Sequence, residues 1–221
     1  MESDIATVDL KVAPVTLPSR VYEVLRDHIL SGELDAGATL RDSVLATSLG
    51  VSRAPVRSAL DKLVETGLVT KKPNLPYQVV VIDASDVSEL QLLRFADETA
   101  AVHHLVARKT SLDDLEIHLL RMREAQETGD VFANLEADLA FHMEIVNLTE
   151  LPRLIARYEA LLGQLRVWMH SMTVAPWTSD TQEMRHVELA DAIRKAQATG
   201  ETGPAIRLFE VHLIANSQAV S

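Results

Sequence analysis

Leu45-Ala-Thr-Ser-Leu-Gly-Val-Ser-Arg-Ala-Pro-Val-Arg-Ser-Ala-Leu60 has the spacing of a helix-turn-helix. Ala46 is small enough for two helices to cross closely, and Gly50 can take the positive φ that ends the first of them. Val51 fills the turn. Ser52 stands where an N-cap belongs, its hydroxyl within reach of the free amides of the next helix. Val56, Ala59, Leu60 and Leu63 then give that second helix an apolar face at i, i+3, i+4, i+7. Arg53 and Arg57, one turn apart, open its opposite face, as a recognition helix presents forked donors to guanine edges or phosphates in a major groove. A helical hairpin with a solvated arginine face would show the same pattern, so the flanks must decide.

Upstream, Arg20 to Leu30 has the periodicity of an amphipathic helix (Val21, Val24, Leu25, His28, Ile29) that stops at Gly32. Downstream, residues 67–72 and 77–82 read as two short strands around a Pro73-Asn-Leu-Pro76 tip. Three helices and a hairpin within residues 18–82 predict a winged helix. This segment resembles the GntR family of bacterial transcription regulators, through Ile29-Leu-Ser-Gly-Glu-Leu-Asp-Ala-Gly-Ala-Thr-Leu, Leu45-Ala, Gly50-Val-Ser-Arg-Ala-Pro-Val-Arg-Ser-Ala-Leu and Glu65-Thr-Gly-Leu-Val. The resemblance implies that Arg53 and Arg57 meet operator bases or phosphates, with Ser52 and Ala54 beside them. Two positions depart from the family pattern. An arginine often found before the turn is Ser43 here, with Arg41 close by, and the wing tip lacks the usual glycine-rich turn, leaving Lys71 and Lys72 to hold the DNA backbone.

A chain of 221 residues, 47% of them hydrophobic, can bury a sizeable core and is expected to divide into two domains. It has no cysteine, so disulfides and thiolate metal sites are excluded. The start Met-Glu-Ser-Asp has no basic or apolar leader, and nowhere do enough apolar residues run together to span a membrane. The expectation is a cytoplasmic protein. The net charge of −11 suits a DNA binder only because it is unevenly spread. Residues 1–80 carry nine Lys/Arg against ten Asp/Glu, whereas the remainder carries twelve against twenty-two. Arg53, Arg57, Lys62, Lys71 and Lys72 thus form a local basic patch, and the acidic remainder should stay off the duplex.

Residues 1–17 lack periodicity and read as a mobile arm, and Asp83-Ala-Ser-Asp86 marks a junction. Beyond it every segment is helical, over approximately 86–109, 112–128, 130–148, 151–172, 180–198 and 203–219. The expected caps are Ser85 or Asp86, Ser111, and Ser179 or Asp180. Six helices on short links predict an antiparallel bundle over 86–219, so the chain is mainly α.

Within that bundle Asp138 and His142 are four apart and share a helical face, flanked by Leu135, Leu139 and Ile145. His186 and His212 each lie in a further amphipathic helix. One carboxylate and three imidazoles on three helices can bind a divalent transition metal, although buried helical histidines also serve as packing residues. The segments Leu92-Leu-Arg94-x-x-x-Glu98, Asp138-x-x-Phe-His142 and His186-x-x-Leu-x-x-Ala-Ile193, with the late His212, resemble the FCD ligand-sensing domain of GntR regulators. Six helices point to its VanR-like branch. The resemblance implies Asp138, His142, His186 and His212 as metal ligands, with zinc first and nickel or manganese also suited. It implies Arg94 as partner to the carboxylate of a small organic acid. It also implies a homodimer, a double-stranded operator and repression relieved by the metabolite. The connection 197–203 is about a turn longer than the family's link, enough to displace His212 by a turn.

Two other readings stay open. Glu183-x-x-His186 is the element that di-iron carboxylate bundles use in pairs, which would make the bundle a metalloenzyme. The four ligands can also form a purely structural metal site. Of His103 and His104 one can face the cavity, although packing or exposure is the commoner role; His118 reads as exposed, His170 as a cavity or helix-end residue, and Trp168, Met169, Met172 and Trp177 as core or dimer contacts.

Overall fold

The computed structural model describes residues 16–171 and 182–215. Helix α1 spans Leu17–Leu30, longer than the apolar periodicity predicted, because the Thr16 hydroxyl accepts from the Ser19 amide and Pro18 sits in the first turn, where no N–H is missed. The expected arm therefore falls almost wholly outside the described residues. Helices α2 (Asp42–Leu49) and α3 (Arg53–Glu65) form the predicted hairpin, with Gly50 at φ 65° between them. Ser52 occupies the N-cap position of α3, but its side chain makes no capping hydrogen bond, which corrects the expectation for its hydroxyl. Strands β2 (Val69–Lys71) and β3 (Tyr77–Val79) form the wing, and β3 also pairs with a two-residue strand β1 (Thr39–Leu40) that periodicity could not reveal. The sheet order is β1-β3-β2, antiparallel throughout.

Helix α4 (Ala84–Arg108) follows at once. Its cap is neither Ser85 nor Asp86 but Asp83, whose carboxylate accepts from both their amides while Asp86 accepts from the Asp83 amide at 2.9 Å. The remaining helices are α5 (Glu116–Thr128), α6 (Val131–Asn147), α7 (Pro152–Ser171), α8 (Gln182–Thr199) and α9 (Gly203–Glu210). Ser111 accepts from the Asp113 amide and so opens a 3₁₀ turn over Asp113–Leu115 that leads into α5. The caps expected at Ser179 or Asp180 lie outside the described residues, as do Met172 and Trp177. After Glu210 the chain continues as a π-helical turn, Val211–Ala215.

Six helices thus form the bundle among the described residues, with α4 in contact with α6, α7, α8 and α9. Phe141, Tyr158, Leu165, Leu189 and Phe209 fill its core. The winged-helix core is a separate cluster around Ile29, Val56, Leu60, Leu63 and Val79, but it includes one residue from α7, Val167. Trp168 is buried, and His118 is half-buried where exposure was expected. No helix among the described residues is long and apolar enough to cross a membrane.

Candidate functional site

Asp138 and His142 project from one face of α6, His186 from α8 and His212 from the π turn. One ligand-capable atom from each lies within 4.8 Å of the others. The Asp138 Oδ1 to His186 Nε2 distance is 3.0 Å, and His142 Nε2 lies 3.2 Å from both His186 Nε2 and His212 Nε2. The longer connection before α9 does not carry His212 out of reach. It sits in the wide π turn, a local insertion that re-aims side chains relative to an α-helix.

Proton accounting shows what this cluster can hold. His142 Nδ1 donates to Glu98 Oε2 at 2.7 Å, and His186 Nδ1 donates to the Gln182 carbonyl at 2.7 Å. A neutral imidazole that donates through Nδ1 presents a bare lone pair on Nε2. Two such lone pairs face each other beside a carboxylate, an arrangement that only a shared proton or a cation relieves. Metal–ligand bonds of about 2.0–2.2 Å would set neighbouring donor atoms about 3 Å apart, so the donor set fits a divalent transition ion. Histidine held through Nδ1 by a carboxylate or carbonyl is also how such ligands are oriented.

Burial favours the neutral form of His142 and His212. His142 and His186 are inaccessible to solvent. Burial first, opposed by Glu98, holds the His142 imidazolium disfavoured, and burial with the neighbouring His142 and His186 pushes His212 well below the ordinary histidine range. Asp138 is shifted down as well: burial would raise it, but the His186 hydrogen bond and the Arg94 charge hold it well below the usual carboxylate range. His142 and His212 as neutral imidazoles and Asp138 as a carboxylate, the protonation states that bind metal, are therefore the favoured ones.

Arg94 is 4% exposed, and its Nε and Nη2 complete no hydrogen bond. Nη1 donates to Gln91 at 3.2 Å, and Nε lies 3.5 Å from Glu98 Oε1. Burial works against its charge, but the Tyr158 oxygen and the Glu98 and Asp138 carboxylates keep it fully protonated. An unspent, buried guanidinium fork beside four metal-capable groups is suited to a carboxylate. Glu183 does not join them: its carboxylate meets Arg123 of α5 at 2.6 Å, so the Glu-x-x-His element does not build a second metal position.

On the winged helix, Arg41, Arg53, Arg57 and Lys71 line one groove of about 420 Å³ between α3 and the wing. Arg53 is held by Asp42, which accepts from its Nη2 through both oxygens at 2.9 and 3.0 Å. Lys71 donates to the Leu75 carbonyl at 2.7 Å and lies over the Tyr77 ring. Arg41, Ser52, Ala54, Arg57 and Lys72 are exposed, although only Arg41 and Arg57 of these five line the groove.

Residues 17–79 match the family described as bacterial regulatory proteins, gntR family, and residues 89–200 match the FCD domain. The chain belongs to the GntR family. It is a transcriptional regulator of the GntR type carrying an FCD domain, not an enzyme. This regulator is 32% identical over 180 residues to an uncharacterized HTH-type transcriptional regulator in an unstable DNA locus of Streptomyces ambofaciens, covering 78% of this chain and 73% of that one. It is 28% identical to the HTH-type transcriptional regulator McbR of Escherichia coli, with 80% of each chain covered. A solved GntR-type structure from Rhodococcus sp. RHA1 superposes with a TM-score of 0.77 at 28% identity, over 92% of this chain and 96% of that one.

Residue spacing missed the groups behind the four candidate ligands. Glu98 accepts from His142 through one oxygen and from the Tyr158 hydroxyl through the other. Gln182 donates to Asp138 at 3.0 Å and accepts from Asn134 at 2.7 Å. Arg94-x-x-x-Glu98 was a usable signal, because an i, i+4 ion pair buried in a helix needs further partners. Tyr158, alone on its helix, gave none.

Proposed function

We propose that this regulator binds operator DNA through residues 18–82 and senses a small organic acid through a metal held in residues 86–219. The observation that carries the reading is the convergence of Asp138, His142, His186 and His212 beside the buried guanidinium of Arg94, two of whose nitrogens complete no hydrogen bond. In this scheme the four side chains hold a divalent ion, zinc before nickel or manganese, which supplies positive charge and open coordination positions. Arg94 binds the effector carboxylate in surroundings where water is scarce and such pairing is strong. Glu98 and the Gln182 carbonyl keep His142 and His186 aimed, and Tyr158 keeps Glu98 in place.

Arg53 and Arg57 of α3 reach base edges or phosphates, with Ser52 and Ala54 against the backbone and Arg41, Lys71 and Lys72 adding phosphate contacts. Arg53 must exchange Asp42 for the duplex, so part of its Coulomb gain is offset. The working form is a cytoplasmic homodimer on a palindromic site, whose half-site spacing converts a small change in the bundle into a change in affinity. Its sign is repression, the sense to which the family resemblance points.

Elemental analysis of the purified chain, thermal shifts with a panel of small organic acids, and operator selection from genomic fragments test the reading together. Bound metal, an acid that raises the melting temperature and an operator whose affinity falls with that acid are expected. Metal without any acid response makes the site structural, and no preference for any fragment removes the DNA reading.

A further inference from the structure

Helix α7 belongs to both cores. Its inner stripe, Tyr158, Leu161, Leu162 and Leu165, lies in the bundle core. A second stripe, Glu159, Gly163, Val167 and His170, is spaced i, i+4, i+8, i+11 and faces the winged helix. Glu159 lies 3.6 Å from Arg26 of α1, and Val167 is a member of the winged-helix core. A Cβ on Gly163 would meet Leu68 at 3.2 Å, tight enough that Leu68 must give by a few tenths of an ångström, and would touch Leu30 at an ordinary 3.6 Å. Glycine is costly inside a helix, and this one is explained by what packs on it. The same closeness recurs at Gly67, where an added Cβ would stand 2.7 Å from the Gln164 amide, and at Gly32, 3.1 Å from the His170 ring.

The inner stripe of α7 reaches the ligand cluster. The Tyr158 hydroxyl donates to Glu98, and Glu98 accepts from His142. Two ion pairs brace the helix, one against the ligand-bearing α6, from Arg166 to Glu136 at 2.8 and 2.6 Å, and one against α4, which carries Glu98, from Arg157 to Asp97. A shift of His142 or Glu98 must move α7 or break these contacts, and α7 cannot move without disturbing Leu30, Leu68 and the turn at Gly67.

We propose that α7 is the element that carries the state of the bundle centre to the DNA-reading head, through Tyr158 on one side and the Gly163–Val167 face on the other. The inference rests on the metal reading above, and it names a route that reading does not need. Zinc ion alone is the probe. Metal-stripped full-length protein is titrated with zinc, its affinity is read by chelator competition, and amide exchange is followed by mass spectrometry. In the wild type, zinc is expected to slow exchange in α4, α6 and α8, and also around Leu30–Gly32 and Gly67–Val69. Gly163→Ala, which wedges a methyl group against Leu68, is expected to keep the zinc affinity and the slowing in the bundle but lose the slowing in the head. Gln164→Ala only removes atoms above Gly67, is expected to behave likewise, and decides the matter should Gly163→Ala not fold. Slowing confined to the bundle in the wild type overturns the route and leaves the metal reading standing. Slowing of the head that survives both substitutions also overturns it. Absence of zinc binding removes the metal reading and this inference with it.

Discussion

The winged helix and the bundle use charged residues in opposite ways. On the head, Arg41, Arg57 and Lys72 stand in water, and Arg53 is paired only at the surface. In the bundle, Arg94, Glu98, His142 and His186 are all 4% exposed or less; Glu98 holds His142, the Gln182 carbonyl holds His186, and Arg94 keeps two nitrogens without a hydrogen bond. A surface cation loses little when it exchanges water for phosphate, so the head can bind and release a long polyanion without disturbing its own fold. A buried cation is stable only with fixed partners, so the bundle couples any change at its centre to its packing. On the function proposed above, the first region engages a large ligand and the second registers a small one.

The sharpest way to break that contrast is Glu98→Ala, which strips His142, Tyr158 and Arg94 of a shared buried partner. We expect a loss of about 3–5 kcal/mol in denaturant unfolding. A loss below about 1 kcal/mol would show that these charges do not depend on one another. Next in size, zinc at a hundred times its dissociation constant should stabilise the wild type by about 2.7 kcal/mol and His142→Ala by close to nothing. Equal stabilisation in calorimetry would take His142 out of the ligand set. On the head, Arg57→Ala should weaken binding to a selected operator by about 1–3 kcal/mol if its contact is bidentate. Its unfolding free energy should stay within about 0.5 kcal/mol of the wild type. Equal losses on operator and random duplexes would restrict Arg57 to phosphate.

The smallest effect concerns Asp42. The Arg53 hydrogen bond holds its carboxyl below the usual range, so the pair's contribution is present above the unfolded-state pKa and fades as pH falls through the lower folded value. Asp42→Asn should free Arg53 and raise affinity for random DNA slightly. The gain should vanish at high salt, and a salt titration that shows no change would mean Asp42 does not compete with the duplex.

The sequence by itself determined the local devices. Gly50 ends α2 in the left-handed region, Val56, Ala59, Leu60 and Leu63 bury one face of α3, and Asp138 with His142 share a face of α6. Each is set by a periodicity of a few residues, which the chain carries openly. Tertiary structure alone decided the rest: the β1 pairing, the Asp42–Arg53 pair, the π turn that carries His212, and the second face of α7. Glu98 and His142 are 44 residues apart, and His142 and His212 are 70 apart. An apolar stripe states that a helix face is buried, but not which helix covers it or which polar atom waits there. That is settled only when the bundle packs and every buried donor must find its acceptor.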